Sequence, residues 1–396
     1  MVNDYSKYYN YGDSFHFYIF ELANFSFIAF CILLAYQFKW LSPISMWAWL
    51  LLAFVPLLTN YFLFSPYLFG DQFVYFDEIT SLKSTGQSVE YIQVTSEMKG
   101  GTISDVTIAS KIIGMVPLPA FMTVTSIAYA NKFISFVLFL WLTRFFDQEK
   151  LLVFFLVPSF VLYASIGLRD MLVIAMSILC ILYLARGRYI YGIIFLISLY
   201  FLKIQMFAFL SIYLIGRIVF RAHKSFKGML LMLALGLVVV FIFQELFLLW
   251  INYFKVGFAA ENIVGGYQEW NRSGDPSLFQ IDSVFSFIWQ GLIKFPIFML
   301  MPLPWQWSNP LHIFQFIETI GLLLGLFYVL KHYYKAHDQE IIFLIVALLI
   351  GLFTYSFLSE NIGTFVRYRF GLYLPFLIGI YYIAKRNYIS SSTERR

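Results

Sequence analysis

Tyr189-Ile-Tyr-Gly-Ile-Ile-Phe-Leu-Ile-Ser-Leu-Tyr-Phe-Leu-Lys203-Ile-Gln205-Met-Phe-Ala-Phe-Leu-Ser-Ile-Tyr-Leu-Ile-Gly216 is almost unbroken apolar sequence, bounded by Arg186 and Arg188 on one side and by Arg217 and Arg221 on the other. Lysine and arginine in short loops mark the cytoplasmic side of a membrane. One long span would leave one basic cluster on the wrong side. Two spans meeting at Lys203 keep both clusters together. Each would have about 14 residues and reach about 21 Å of a roughly 30 Å hydrocarbon core. The tip, Lys203-Ile204-Gln205, then lies below the outer surface, where a lysine cannot face lipid and needs a wet cavity or an anionic partner.

The remainder of the chain agrees with a membrane setting. Of 396 residues, 61% are hydrophobic and 12% charged, and the mean hydropathy is +0.76. Soluble domains are about half apolar and a quarter charged. Apolar runs at 16–36, 43–63, 131–146, 150–166, 171–186, 189–202, 204–217, 227–252, 314–331, 340–358 and 370–385 give about 11 spans by length and hydropathy. The expected fold is an all-α polytopic transmembrane bundle, with residues 1–396 forming one integral membrane domain. The polar start, Met1 to Ser14, lacks a basic leader, so no cleavable signal peptide is expected.

Two long segments interrupt the spans, 64–130 and 253–313. Their apolar pieces, 106–128 and 284–302, carry Lys111, Pro117, Pro119, Lys294 and Pro296, and read as interfacial or re-entrant helices. Basic residues at Arg186/Arg188, Arg217/Arg221/Lys224/Lys227, Lys331/Lys335 and Lys385/Arg386/Arg395/Arg396 set an outside N-terminus, outside long segments and a cytoplasmic C-terminus.

Against that rule, Arg169, Lys203, Arg367 and Arg369 all fall at the outer face. Arg367 and Arg369 sit in Ser359-Glu-Asn-Ile-Gly-Thr-Phe-Val-Arg-Tyr-Arg369; in an extended segment, spacing two aims both guanidinia one way. Cations gathered there suggest a site for an anion, because a guanidinium fork matches phosphate oxygens. The plainer reading is an arginine that snorkels or pairs with Asp170 or Glu360. Asp71, Asp77 and Glu78, directly after a span, are candidate general bases for a sugar hydroxyl, or helix caps, Asp71 above all. The second segment offers Glu269, Arg272 and Asp275, then Met301-Pro-Leu-Pro-Trp305-Gln-Trp307; Trp305 suits an aromatic belt or a stacked sugar ring. Cys31 and Cys180 lie in apolar runs as packing residues. His16, His223, His332 and His337 form no ligand pattern. No metal, cofactor, phosphate-binding loop or nucleic-acid partner is expected.

Ser165-Ile-Gly-Leu-Arg169-Asp170, Lys203-Ile-Gln205, Pro302-Leu-Pro-Trp305 before Glu318, and Gly363-Thr-Phe-Val-Arg367-Tyr-Arg369 together resemble the layout of bacterial oligosaccharide repeat-unit polymerases (the Wzy-type O-antigen and capsule polymerases) and related GT-C-like membrane glycosyltransferases. The resemblance spans roughly residues 60–385. It implies an enzyme of surface polysaccharide synthesis in the bacterial inner membrane. An undecaprenyl-pyrophosphate-linked glycan is the donor, and a hydroxyl of a second lipid-linked unit attacks its anomeric carbon. Arg169, Lys203, Arg367 and Arg369 would hold the pyrophosphate, and Asp77, Glu78 or Asp71 would serve the attacking hydroxyl. Arg272, Trp305 and Gln205 would contact the glycan, beside membrane lipids and a chain-length-regulating partner. A transferase of single sugars from a polyprenyl phosphate, a flippase of lipid-linked oligosaccharides and a structural membrane protein are the competing expectations. A flippase should show internal repeats and charges along a central pathway.

Overall fold

In the computed structural model the described residues are 15–59, 63, 71–89, 105–223, 245, 248–249, 252, 281, 283–307, 310–333, 339–358 and 362–393. They are all-helical with no strand among them. The helices are α1 Phe15–Gln37, α2 Pro43–Thr59, α3 Asp71–Ser84, α4 Asp105–Gly114, α5 Val124–Leu142, α6 Gln148–Phe155, α7 Pro158–Tyr163, α8 Asp170–Ala185, α9 Tyr189–Leu202, α10 Ile204–His223, α11 Val284–Leu300, α12 Pro310–Tyr333, α13 Gln339–Leu358 and α14 Ile362–Thr393. Most of the expected span 227–252, with Arg272, Glu269 and Asp275, lies outside the described residues. Two compact units emerge: residues 3–210 with 374–396, and residues 211–373.

This is a helical membrane protein. Stretches Ile19–Gln37, Val124–Leu142 and Glu340–Phe357 are long and apolar enough to cross a bilayer, and several shorter apolar helices accompany them. Their outward faces are greasy. Leu51 is 71% exposed, Trp47 64%, Phe30 58% and Ile190 76%. Contiguous apolar surface on that scale is not tolerated in water, whereas lipid accepts it.

In the first unit, α1 and α5 run parallel. Asn24 Nδ2 donates to Ala120 O (2.7 Å) and Phe27 meets Phe133 at 5.9 Å. Helix α2 runs back between them, carrying Trp49 into a ring cluster with Phe136, Phe139 and Phe155 at 5.3–5.6 Å. At one end of this unit Gln148 Oε1 accepts from Ser42 N and its Nε2 donates to Trp40 O. Lys385 Nζ reaches Phe145 O and Asp147 there, Arg386 donates to Ala185 O, and Arg186 lies over the Phe145 ring. The clusters Arg186/Arg188 and Lys385/Arg386 therefore share an end with Lys39, Arg144 and Lys150. The turn there is closed by Gly187 at φ +75, with Arg188 N bonded to Tyr183 O and Gly187 N to Leu184 O, a left-handed helix stop that glycine adopts without strain. At the opposite end Thr59 Oγ1 donates to Ser165 O and Asn131 Nδ2 to Ile166 O and Leu168 O.

Some expected boundaries move. The 150–166 span is two short helices of 8 and 6 residues, because Pro158 cannot continue the first and starts the second. The piece 106–128 is not one helix. It stops at Gly114, and Pro117 and Pro119 occupy an irregular turn. Thr123 then caps α5, accepting from Ser126 N while Ser126 Oγ accepts from Thr123 N, each at 3.2 Å. That capping box starts the membrane helix at Val124, seven positions ahead of the expected 131. The break at Lys203 holds: α9 ends at Leu202, Lys203 is extended (φ −161, ψ 92), and Lys203 O accepts from Met206 N and Phe207 N of α10.

In the second unit α11 crosses α13 where Phe287 stacks on Phe357 at 4.5 Å; a Cβ on Gly291 would sit 2.1 Å from Phe353, so a larger residue there would have to push the Phe353 and Phe357 rings aside. Arg217 Nη2 pairs with Glu340 at 2.8 Å.

Replacing Trp49 by alanine should lower unfolding stability by up to about 3 kcal/mol, the low end for truncating a large ring, because lipid and not water is the reference medium. Thermal unfolding of the detergent-solubilised protein against Trp49→Phe, which keeps most of the ring contacts, measures it.

Candidate functional site

The end of the first unit opposite its basic end gathers the sequence-selected residues. Helix α8 begins at Asp170 with Arg169 as its N-cap residue. Arg169 forms an ion pair with Asp105, the first residue of α4. Lys203 Nζ lies 3.7 Å from Asp170 Oδ1, with both side chains nearly buried, 12% and 9% exposed. Tyr75 of α3 is within electrostatic range of Arg169. Burial works to lower the Arg169 pKa, and Tyr75, Asp105 and Asp170 together outweigh it and push the pKa up, so the guanidinium stays charged. Two cations and two carboxylates thus form one chain of alternating sign: Asp105, Arg169, Asp170, Lys203. Asp170 was an expected partner from sequence. Asp105 was not, since an acid opening a helix carries no signal of what it faces.

The loop that presents Arg169 is held tightly. A Cβ on Gly167 would sit 3.1 Å from both Gln72 and Ile127, and Asn131 fixes the carbonyls of Ile166 and Leu168. This places α3 and α5 directly against the turn.

The three carboxylates of α3 separate. Glu78 is fully buried. It accepts from Val89 N at 2.8 Å, from Thr107 Oγ1 at 2.7 Å and from Ser88 Oγ. Both oxygens are engaged in tying α3 to residues 88–89 and to α4, so Glu78 holds these segments together. Asp77 is half-buried, and Asp71 is exposed in the first turn of α3, where a carboxylate suits the helix dipole. Gln205 is half-buried in the first turn of α10.

Arg367 and Arg369 belong to the second unit and are not extended. Both lie inside α14, because the helix starts at Ile362, ahead of the expected 370. Two positions apart on a helix, side chains diverge by about 200°, so they do not form a fork. Arg367 is half-buried. Arg369 is 3% exposed; its Nη1 donates to Phe298 O and Met299 O at 2.9 and 3.0 Å, and its Nη2 to Thr319 Oγ1 at 2.5 Å. Those carbonyls belong to the last turn of α11, so Arg369 caps that helix. Trp305 is 78% exposed in the 3₁₀ turn Pro304–Gln306, held by Leu303 N donating to Gln306 Oε1 and by Trp307 Nε1 donating to Pro302 O.

Sequence reading passed over two charges inside membrane helices, Glu21 of α1 and Lys132 of α5, 2% and 1% exposed. The available signal was an ionisable residue within an apolar run. No group of His, Cys, Asp and Glu able to hold a metal comes together among the described residues. No protein-family model, curated protein or solved structure matches this chain.

Glu78→Ala should cost about 1–3 kcal/mol by orphaning Thr107, Ser88 and Val89 donors. It should also speed amide hydrogen exchange at Ser88 and Val89. Unchanged exchange at those two amides would refute the scaffold role.

Proposed function

We propose that this protein polymerises undecaprenyl-pyrophosphate-linked oligosaccharide repeat units at the outer face of the bacterial inner membrane. The observation that carries the reading is the gathering of Arg169 and Lys203 at the end of the first unit opposite its basic end. Cations on that side run against the positive-inside pattern and suit a pyrophosphate that must leave with its charge stabilised. The bundle is read as about 11 spans, with the end bearing Arg186, Arg188, Lys385 and Arg386 in the cytoplasm and the N-terminus outside.

In the reaction a sugar hydroxyl of one lipid-linked unit attacks the anomeric carbon of another. The bond from that carbon to the pyrophosphate oxygen breaks, and the pyrophosphate keeps the electron pair. Arg169 and Lys203 meet the charge it gains. Asp77, or Asp71 at the mouth of α3, takes the hydroxyl proton. Arg367 stays, from the sequence alone, a candidate phosphate-binding residue of the second unit. Arg369, whose guanidinium donates to two α11 carbonyls and to Thr319 Oγ1, is a positioning residue within the second unit. Trp305 offers a ring face to a glycan.

Ion pairing inside the cluster favours a second reading, in which Asp105 and Asp170 merely neutralise Arg169 and Lys203 and the end is structural. Deletion and complementation separate the two. Arg169→Ala should abolish long-chain glycan, with single lipid-linked repeat units accumulating while the protein still inserts. Arg169→Lys should also fail, because an ammonium cannot reproduce a two-pronged phosphate contact. Full-length glycan in both variants would remove Arg169 from the site. Accumulation of a repeat unit lacking one sugar would assign the chain to single-sugar transfer.

The orientation has its own check. A cysteine at Gln87 should react with a membrane-impermeant thiol reagent from outside intact cells, and one at Lys150 only after permeabilisation. The reverse pattern would place the cation cluster in the cytoplasm.

A further inference from the structure

Glu21 sits in a membrane-length helix, 2% exposed, beside the start of α5. Its carboxyl is hydrogen-bonded to the hydroxyls of Thr125 and Thr123, yet its Oε1 has no partner. Tyr129, one turn beyond Thr125 on the same face of α5, is fully buried. It lies within electrostatic range of Glu21, and its hydroxyl also lacks a partner. Two buried polar oxygens without a protein partner thus lie within electrostatic range of each other, and each such orphan costs on the order of 1–3 kcal/mol.

Among the described residues no cation pairs with this carboxyl. Helix α1 packs against α2 and α5. Helix α2 (Pro43–Thr59) carries no charged residue. On α5 the one charged side chain is Lys132, whose Nζ reaches only Val161 O, at 3.4 Å. Asn24, Ser126 and Ala120 satisfy one another nearby. An uncompensated carboxylate in a low-dielectric interior is strongly disfavoured. Hard oxygen donors around a single carboxylate suit a small, singly charged hard cation. No cluster of carboxylates or imidazoles for a divalent metal forms among the described residues.

We propose that Glu21, Thr125, Thr123 and Tyr129 form an intramembrane site for one small monovalent cation, sodium or a proton, which fastens α1 to the start of α5. The site does not depend on the polymerase reading. It would serve any activity of this bundle by setting how firmly its first helix is held.

Thermal unfolding of the full-length protein in detergent tests it, in sodium, potassium and choline chloride at matched ionic strength and across mildly acidic to mildly alkaline pH. A sodium site makes the wild-type midpoint rise with the logarithm of sodium concentration and not with choline, since binding to the folded state alone stabilises by mass action. A proton on the Glu21 carboxyl leaves the midpoint indifferent to sodium and lowers it as pH rises, because a proton held more tightly by the folded chain stabilises at low pH and is lost upward. Either response must flatten in Glu21→Gln. Thr125→Ala should move a sodium response to higher concentration, and it covers the case in which Glu21→Gln fails to fold. A wild-type midpoint indifferent to both sodium and pH overturns the proposal, as does a response that Glu21→Gln or Thr125→Ala leaves unaltered.

Discussion

Inside a bilayer no water takes up a stray peptide group or charge, so the chain must meet each one itself. That constraint explains why helix is the regular structure of the described residues, and it also explains where the helices stop. Thr123 closes the open amides of α5 with a capping box. Gly187 and Arg188 return hydrogen bonds to the last carbonyls of α8. Arg369 does the same from another helix, spending a guanidinium on two carbonyls at the end of α11. In water these ends would be cheap to leave open. Here each is closed, by a residue whose type follows from the task.

The same constraint sorts the charges. At the end of the first unit rich in Lys and Arg, cations find carbonyls and exposed acids: Lys385 on Phe145 and Asp147, Arg386 on Ala185. At the opposite end Arg169 and Lys203 lie deeper, and each has a carboxylate: Arg169 with Asp105, Lys203 with Asp170. Partly exposed pairs contribute little to stability, typically below about 1 kcal/mol. Their arrangement therefore speaks more to placement than to holding the fold together.

Much of this was legible in the sequence, for physical reasons. The long apolar runs located the main helices because lipid demands length. Lys203 marked a helix end because a lysine cannot continue through hydrocarbon without a partner, and Asp170 supplies it. The shared end of Arg186, Arg188, Lys385 and Arg386 followed from charge asymmetry. What failed was local. An apolar run does not reveal that Pro158 splits it, since the pieces on either side stay apolar. Thr123-Val-Thr-Ser126 was hidden inside a run that looked interfacial. Arg367 and Arg369 were assigned an extended backbone because a polar stretch precedes the last span, and the helix in fact begins upstream of them. Glu78 looked like a free acid among three; its partners Ser88, Val89 and Thr107 are distant in sequence, and no local pattern announces them.

The neutral bookkeeping of the Asp105–Arg169–Asp170–Lys203 chain bears on what the proposed reaction would require. Isolated cations at that depth would be costly while the site is empty. Carboxylates that hold them remove that cost and fix their directions. A pyrophosphate carries more negative charge than one carboxylate and offers oxygens spaced for a guanidinium fork, so it can draw Arg169 from Asp105 without first paying for an uncompensated charge. Asp105 is the natural member to yield, because its side chain is 49% exposed and water can take it up. Asp170, at 9%, has nowhere to go and would keep Lys203 in place. On that reasoning the two acids differ in kind: one is a replaceable counter-ion, the other a fixed anchor.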